Sequence, residues 1–506
     1  MIAFYLLLIA TLAALFLTHP FLRYPYDAWE HLIGIDKFRL SRLSPERAIW
    51  HHFWKDIFNL LSIEPSQVFL RARIIHTTQT LFSFFAVYLF SKVIIRNIFN
   101  RIDLLSLRYM AYWSTLIWFT VFATFSVNYH LVWILWYSVT YQITLPLFWY
   151  ILALTIITLF EPISWQKKAF YLLQILVISR IILQMHSMEY FYYLMYIFVL
   201  SLVYWRKLYN FIKKHYMIIL PFILLIIYFA KRYQPEHSQL LILLQEHDLM
   251  GIYHAITTYG ERLQAGANRS WAVYNELMTV SLLLGVAMLI MLWKMRSRET
   301  TVGVHKKMYL FLFLTSLFVL LPLNTATSGI LAVITRMDVV HRFYFSASLF
   351  VLIPVVLYYF ITLYYKKSRI AILNLVIIAT LTAALLYSKY FSSTHNYADN
   401  VHSIIQSFYG NALDFNLSDR QIGEIGKELE HYEKKYNDGR PIIYFARPDI
   451  TIVLLLVYRK KVFWWGRRAN VSLEAFQKEL QRKSHGDFNT VIFETPRDFP
   501  EYIPYR

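Results

Sequence analysis

Hydrophobic residues in this chain fall in long runs separated by short polar connectors. A bilayer-spanning helix needs about 20 mostly apolar residues. About eleven stretches approach or exceed that length: 2–19, 74–95, 105–126, 131–160, 169–186, 188–205, 216–231, 274–293, 308–325, 343–365 and 370–388. The runs 169–186 and 188–205 are separate spans only if a very tight turn near His186 joins them. The pattern predicts a polytopic α-helical membrane protein with about eleven transmembrane helices.

Alternate connectors are basic: RNIFNRIDLLSLR (96–108), EPISWQKK (161–168), RKLYNFIKKH (206–215), KMRSRETTVGVHKK (294–307) and KKSR (366–369). They hold 17 Lys or Arg against three acids, a net +14 of the chain's formal +19. Cytoplasmic loops carry the excess of Lys and Arg, so these connectors and the N-terminus are expected inside. The first helix then runs outward. It lacks a basic leader and its apolar run is long, which favours an uncleaved anchor over a signal peptide.

The outer face receives 20–73, 232–273, 326–342 and the tail 389–506. The membrane region is expected to be 1–388 and the tail a separate small C-terminal α/β extracytoplasmic domain. In that tail the pattern reads strand 441–445, helix 449–461, strand 462–466, helix 472–482, strand 490–494. Such alternation marks an α/β unit. The run ITIVLLLV is too short to span and reads as a buried helix. The first outer loop is aromatic and amphipathic, and HHFWKDIFNLL (51–61) predicts a helix lying in the interface.

Composition supports the membrane class. The chain is 58% hydrophobic and 16% charged, against about a quarter charged in an average soluble domain. A soluble enzyme, a disordered chain and a collagen-like fibre are thereby excluded. Aromatics at 18% suit a protein with many residues at membrane interfaces. The absence of cysteine excludes disulfides, thiolate metal sites and a catalytic thiol. Because the positive charge sits mostly in connectors, it is a topology signal and predicts no nucleic-acid partner.

Candidate chemistry clusters where spans meet the outer face. Asp27, Glu30 and His31 follow the first span at helical spacing, so they share a face. A partly desolvated carboxylate there gains basicity and is placed to take a proton from an acceptor hydroxyl. The competing reading is a helix cap at Asp27 with Glu30 and His31 facing water. Arg180, with His186 and Glu189 nearby in sequence, is an intramembrane cation, which lines a cavity or pairs internally. Arg336, His341 and Arg342 surround a single acid, Asp338, and are suited to a phosphate or to lipid headgroups. Glu246, His247, Asp248 and His254 read as a solvated helix rather than a metal site, with Gly251, Gly260 and Gly266 loosening that loop. Tyr137, Ser138, Tyr141 and Gln142 place polar groups on one side of a span, where they line a cavity or join helices.

The exit Tyr24, Pro25, Asp27, His31, the long first outer loop, the Arg71 and Arg73 entry into the second span, and the outer tail resemble the GT-C superfamily of integral-membrane glycosyltransferases. The resemblance implies a polyprenyl-phosphate- or polyprenyl-diphosphate-linked sugar donor, with Asp27 as general base or acceptor-positioning group. It implies Glu30, His31, Tyr137 and Tyr141 as site-lining residues and Arg180, Arg336, His341 and Arg342 as donor phosphate-binding residues. Loop SVNYH (126–130) has no acid, and Trp464, Trp465 and Gly466 do not continue into a Trp-Trp-Asp-Tyr-Gly signature. Those departures favour a phosphate-linked monosaccharide donor; a divalent metal is admitted but not required. The expected protein is a hexosyl- or pentosyltransferase of the cell (inner) membrane and cell envelope, with the tail periplasmic or extracellular. Its acceptor would be a glycan, a lipid or a protein. The alternatives are an O-antigen ligase or polymerase, and a membrane transporter or lipid flippase.

Overall fold

The computed structural model describes residues 2–17, 35, 49–64, 67–119, 143–185, 187–232, 249–267, 304–323, 325–334, 343, 346–364, 369–379, 419–440, 442–445, 450, 454, 458, 460 and 489–492. Among these residues the elements run α1 (Ile2–Leu17), α2 (Ile49–Leu60), α3 (Val68–Ile98), α4 (Leu104–Ile117), α5 (Leu145–Phe160), α6 (Trp165–Met185) and α7 (Ser187–Arg232). They continue with α8 (Leu249–Ala267), α9 (Lys306–Ser316), a 3-10 helix (Leu317–Leu323), α10 (Thr325–Ile334), α11 (Leu349–Tyr364) and α12 (Arg369–Ala379). The tail contributes α13 (Asp419–Lys435), β1 (Ile442–Phe445) and β2 (Asn489–Ile492). The protein is mostly helical, as a chain that must satisfy its backbone inside a bilayer requires. Among the described residues, three helices are long and apolar enough to cross a membrane: Arg73–Ile98, Trp165–Met185 and Met188–Arg206.

The chain divides into two compact units: Met1–Thr18, Leu43–Trp50 and His76–Phe408 form one, and His19–Arg42, His51–Ile75 and Tyr409–Arg506 the other. Within the first, helix starts carry local signals. Asp103 caps α4 by accepting from the Ser106 amide at 2.8 Å and the Ser106 hydroxyl at 2.6 Å. Partial burial alone would raise the Asp103 carboxyl pKa, but those hydrogen bonds hold it below its ordinary value. Proline in the first turn starts α5.

A set of contacts gathers the basic connectors at one end of this unit. Arg108 donates to the Tyr5 hydroxyl at 2.7 Å, and Thr11 bonds the Tyr112 hydroxyl at 2.6 Å, so α1 runs parallel to α4 with its N-terminus beside connector 96–108. Arg96 pairs with Glu161 at 3.6 Å. The His305 amide donates to the Ile98 carbonyl at 2.7 Å, beside the Phe99–Val304 bridge. The Tyr204 hydroxyl meets His305 Nδ1 at 3.2 Å. Tyr358, near the end of α11, meets Phe99 edge to face at 5.5 Å.

Between the ends the core is aromatic. Trp149 packs on Phe90 at 4.7 Å and Phe350 at 5.1 Å. The buried Tyr196 hydroxyl donates to the Ser346 carbonyl at 2.6 Å, and Thr315 bonds Ser348 at 2.6 Å. Each hydroxyl thus takes a partner where water is excluded.

Three helix boundaries differ from the pattern. The runs 169–186 and 188–205 are separate helices, since α6 ends at Met185 and α7 begins at Ser187. However, α7 is 46 residues long and passes straight through 206–215. At 1.5 Å per residue it reaches about 69 Å. Residues 216–231 therefore extend that helix instead of folding back as a new span. No Gly or Pro interrupts 206–215, and Lys and Arg are good helix formers. Charge marks a membrane boundary but does not end a helix. Conversely, the run 308–325 is broken: α9 stops at Ser316, and a 3-10 stretch containing Pro322 precedes α10. Proline removes the donor that an α-helix would need there. The third is α10 itself, a helix in a segment read as outer loop; it packs on α8, with Gly329 against the Ile256 carbonyl.

In the second unit, residues 51–60 of α2 bury Trp54 and Phe58 on one face and expose Phe53, Lys55 and Asp56. This is the amphipathic helix expected at 51–61. Its C-terminus closes by the Ile63 amide donating to Phe58 and the Ser62 amide to Asn59, with Ser62 at φ 53°. Strands β1 and β2 pair in parallel, Ile442 opposite Asn489 and Phe445 opposite Ile492. A parallel pair needs a long crossover, supplied by 446–488, where Ile450 and Leu454 are helical and buried. Helix α13, which the pattern did not predict, buries Ile425 and Leu429. The predicted strand 462–466 and helix 472–482 lie outside the described residues.

Candidate functional site

Of the residues singled out for chemistry, Arg180 is described and half-buried. Asp27, Glu30, His31, Tyr137, Tyr141, Arg336, His341 and Arg342 lie outside the described residues. So do Glu246, His247 and Asp248, whereas His254 is an exposed residue of α8. Among the described residues no group of three or more His, Asp or Glu is placed to hold a metal ion.

Arg180 can be positioned along the bundle. The Tyr150 hydroxyl donates to Gln174 at 2.9 Å. Arg180 lies six residues, about 9 Å, further along α6, which brings it level with the Leu145 start of α5. Tyr192 packs on Phe148 with ring centroids at 6.0 Å. Glu189, one turn earlier, therefore lies near the same level; it is 2% exposed. Phe343 is buried against Tyr192 at 5.0 Å and Phe191 at 5.9 Å, so the α11 approach reaches this end too. All of this is opposite the basic connectors. An acidic residue in the first turn of α7 is favoured by the helix dipole.

A second polar feature was missed by reading 74–95 as an apolar span. Within α3, His76, Thr77, Gln79, Thr80 and Ser83 are all buried, His76, Thr80 and Ser83 completely. Positions 76, 80 and 83 share one face. Ser83 donates to the Gln79 carbonyl at 2.6 Å. The Thr77 and Thr80 hydroxyl oxygens are buried with no hydrogen-bond partner among the described residues. Polar groups inside a span are costly and tend to mark function or helix contacts. The signal was available: HTTQT at 76–80 interrupts hydrophobic sequence with hydroxyl, amide and imidazole groups.

In the other unit, Arg71 is 3% exposed. Its guanidinium donates to the Ile63 carbonyl at 2.6 Å and lies 4.7 Å from the Phe58 ring centroid. Arg71 thus ties α2 to the chain that follows it.

The chain matches no protein-family profile, no curated protein and no solved structure.

Proposed function

We propose that this protein is a membrane glycosyltransferase that moves a sugar from a polyprenyl-(di)phosphate-linked donor to a glycan, lipid or protein acceptor on the outer face. The observation that carries the reading is polarity between the ends of the first unit. Basic connectors and the N-terminus occupy one end, while Arg180 and buried Glu189 occupy the other. By the orientation rule the basic end is cytoplasmic. On this reading helix α1 runs outward toward Asp27, and the protein is proposed to lie in the inner (cell) membrane with its C-terminal domain outside.

In the proposed reaction the Asp27 carboxylate takes the proton of the acceptor hydroxyl. The acceptor oxygen bonds the anomeric carbon as the bond from that carbon to the phosphate oxygen breaks. Arg336, His341 and Arg342, with Arg180, hold the departing polyprenyl phosphate in a partly dehydrated pocket, where such interactions gain strength. Glu30, His31, Tyr137 and Tyr141 line the acceptor side. The test is transfer of labelled sugar from its polyprenyl phosphate by membranes containing the full chain. Asp27→Asn should abolish product at unchanged protein level; full activity in that variant removes the mechanism.

A transporter or flippase is the second reading, favoured by the break between α9 and α10 and by the buried polar face of α3. Interrupted helices beside polar residues are how carriers build mid-membrane sites. Solute movement across proteoliposomes without glycan product would select it.

A further inference from the structure

A narrow cavity of about 150 Å³ lies between α5, α6 and α7. It is smaller than the roughly 300–1,000 Å³ of a typical small-molecule site. Its shape is set by a stripe on α7: Tyr193, Ile197, Leu200, Ser201 and Tyr204 line it. Those positions recur at helical spacing along one face. From Tyr193 to Tyr204 is about 16 Å of helix at 1.5 Å per residue, half of the roughly 30 Å hydrocarbon core. The cavity is therefore a narrow slot beside α7, with room for a short, roughly benzene-sized stretch of hydrocarbon.

Its walls offer hydrocarbon. Thr155 donates to the Ile151 carbonyl at 2.8 Å, Thr158 to Leu154 at 2.8 Å and Ser201 to Ile197 at 2.7 Å. The Tyr193 hydroxyl is engaged with Thr155 at 2.9 Å. Polar atoms along the slot are thus turned into the helices themselves. On the outside, α6 exposes Phe170, Leu173 and Val177, the surface expected of a helix facing lipid.

One end of the slot is cationic. The Tyr204 ring meets Phe160 at 4.6 Å and stacks on His305 at 6.0 Å, and Lys307 Nζ lies 5.9 Å from its centroid. Lys306, Lys307 and Arg206 are exposed at this end. It is the end that gathers the basic connectors.

We infer that this slot holds a short stretch of one acyl chain of an anionic glycerophospholipid, with its phosphate against Lys306, Lys307 and Arg206. Apolar walls select hydrocarbon, and charge complementarity selects the headgroup. The cationic end of the slot lies opposite the end that holds Arg180 and Glu189, and the inference does not depend on the proposed sugar transfer.

The test uses the full chain reconstituted in equimolar phosphatidylglycerol and phosphatidylcholine, re-extracted in mild detergent and weighed by native mass spectrometry. One phospholipid per protein should remain, enriched in phosphatidylglycerol. The surface variant Lys306→Gln/Lys307→Gln should retain lipid but lose the enrichment, by about fivefold per charge. Ser201→Leu, which fills the slot, should lower the retained lipid; Phe170→Leu, on the lipid-facing surface, should not. Absence of retained lipid, retention without headgroup preference, a preference unchanged in the lysine variant, or retention unchanged by Ser201→Leu would each overturn the proposal. The lysine variant changes only exposed side chains, so the headgroup arm stands even if Ser201→Leu fails to fold.

Discussion

Replacing Gly329 by alanine sets two effects of opposite sign against each other. An alanine in a helix interior is worth about 1 kcal/mol over glycine, so substitution in an open environment stabilises. At Gly329 a methyl group would overlap the Ile256 carbonyl oxygen and come within 2.9 Å of its carbon and 3.2 Å of Ile256 Cγ2. Ordinary carbon contacts lie near 3.5–4.0 Å. The oxygen belongs to the backbone of α8, so relief requires α8 and α10 to separate. Overpacking of this kind costs about 1–3 kcal/mol, leaving a net loss of about 0–2 kcal/mol. Gly423, in α13, supplies the control, because a methyl group there meets nothing within 4 Å. Gly423→Ala should stabilise its unit by about 1 kcal/mol. Thermal unfolding of the full chain in detergent, followed by protection of each unit from protease, reads both. If Gly329→Ala stabilises as much as Gly423→Ala does, the close approach of α8 and α10 is refuted.

Three further expectations follow from particular contacts. Arg71→Ala removes a charged hydrogen bond and a ring contact, at a cost of about 2–4 kcal/mol; Arg71→Lys should recover only part of it, and equal protease resistance in all three proteins would deny Arg71 a structural role. Asp438 is held down to about 2 by the Arg440 side chain, the Arg440 amide and Asn489. Its contribution is therefore complete above the unfolded pKa of about 3.9 and is lost as pH falls through about 2. Hydrogen exchange at β1 and β2 should rise over that window, and Asp438→Asn should remove the dependence. Because the chain has no cysteine, single cysteines at the exposed Ser164 and Asn437 can report orientation: an impermeant maleimide applied to intact cells should label the second and spare the first, and the reverse result would invert the topology.

Much of the helix content was legible because bilayer length and apolar runs translate directly into spans. The 74–95, 169–186 and 188–205 runs coincide with the three candidate membrane helices. The amphipathic helix at 51–61 was legible too, because α2 carries its pattern within three turns. Tertiary interactions made the difference where the sequence pattern is locally ambiguous. The 206–215 connector has the charges of a loop but the propensities of a helix, and it continues α7. The tail helix α13 has a polar sequence, and its identity depends on Ile425 and Leu429 finding a core.

Hydrophobic run length, basic bias and the absence of cysteine belong to the sequence alone: they establish a helical membrane protein and predict its orientation without reference to any contact. Which polar residues are buried was decided by packing. His76, Thr80 and Ser83 become interior because neighbouring elements cover their face of α3, and Arg180 and Glu189 reach one level because three helices align. Run length is a property of consecutive residues, whereas enclosure depends on what the rest of the chain places beside them. Only the folded arrangement could turn scattered polar letters into a buried face.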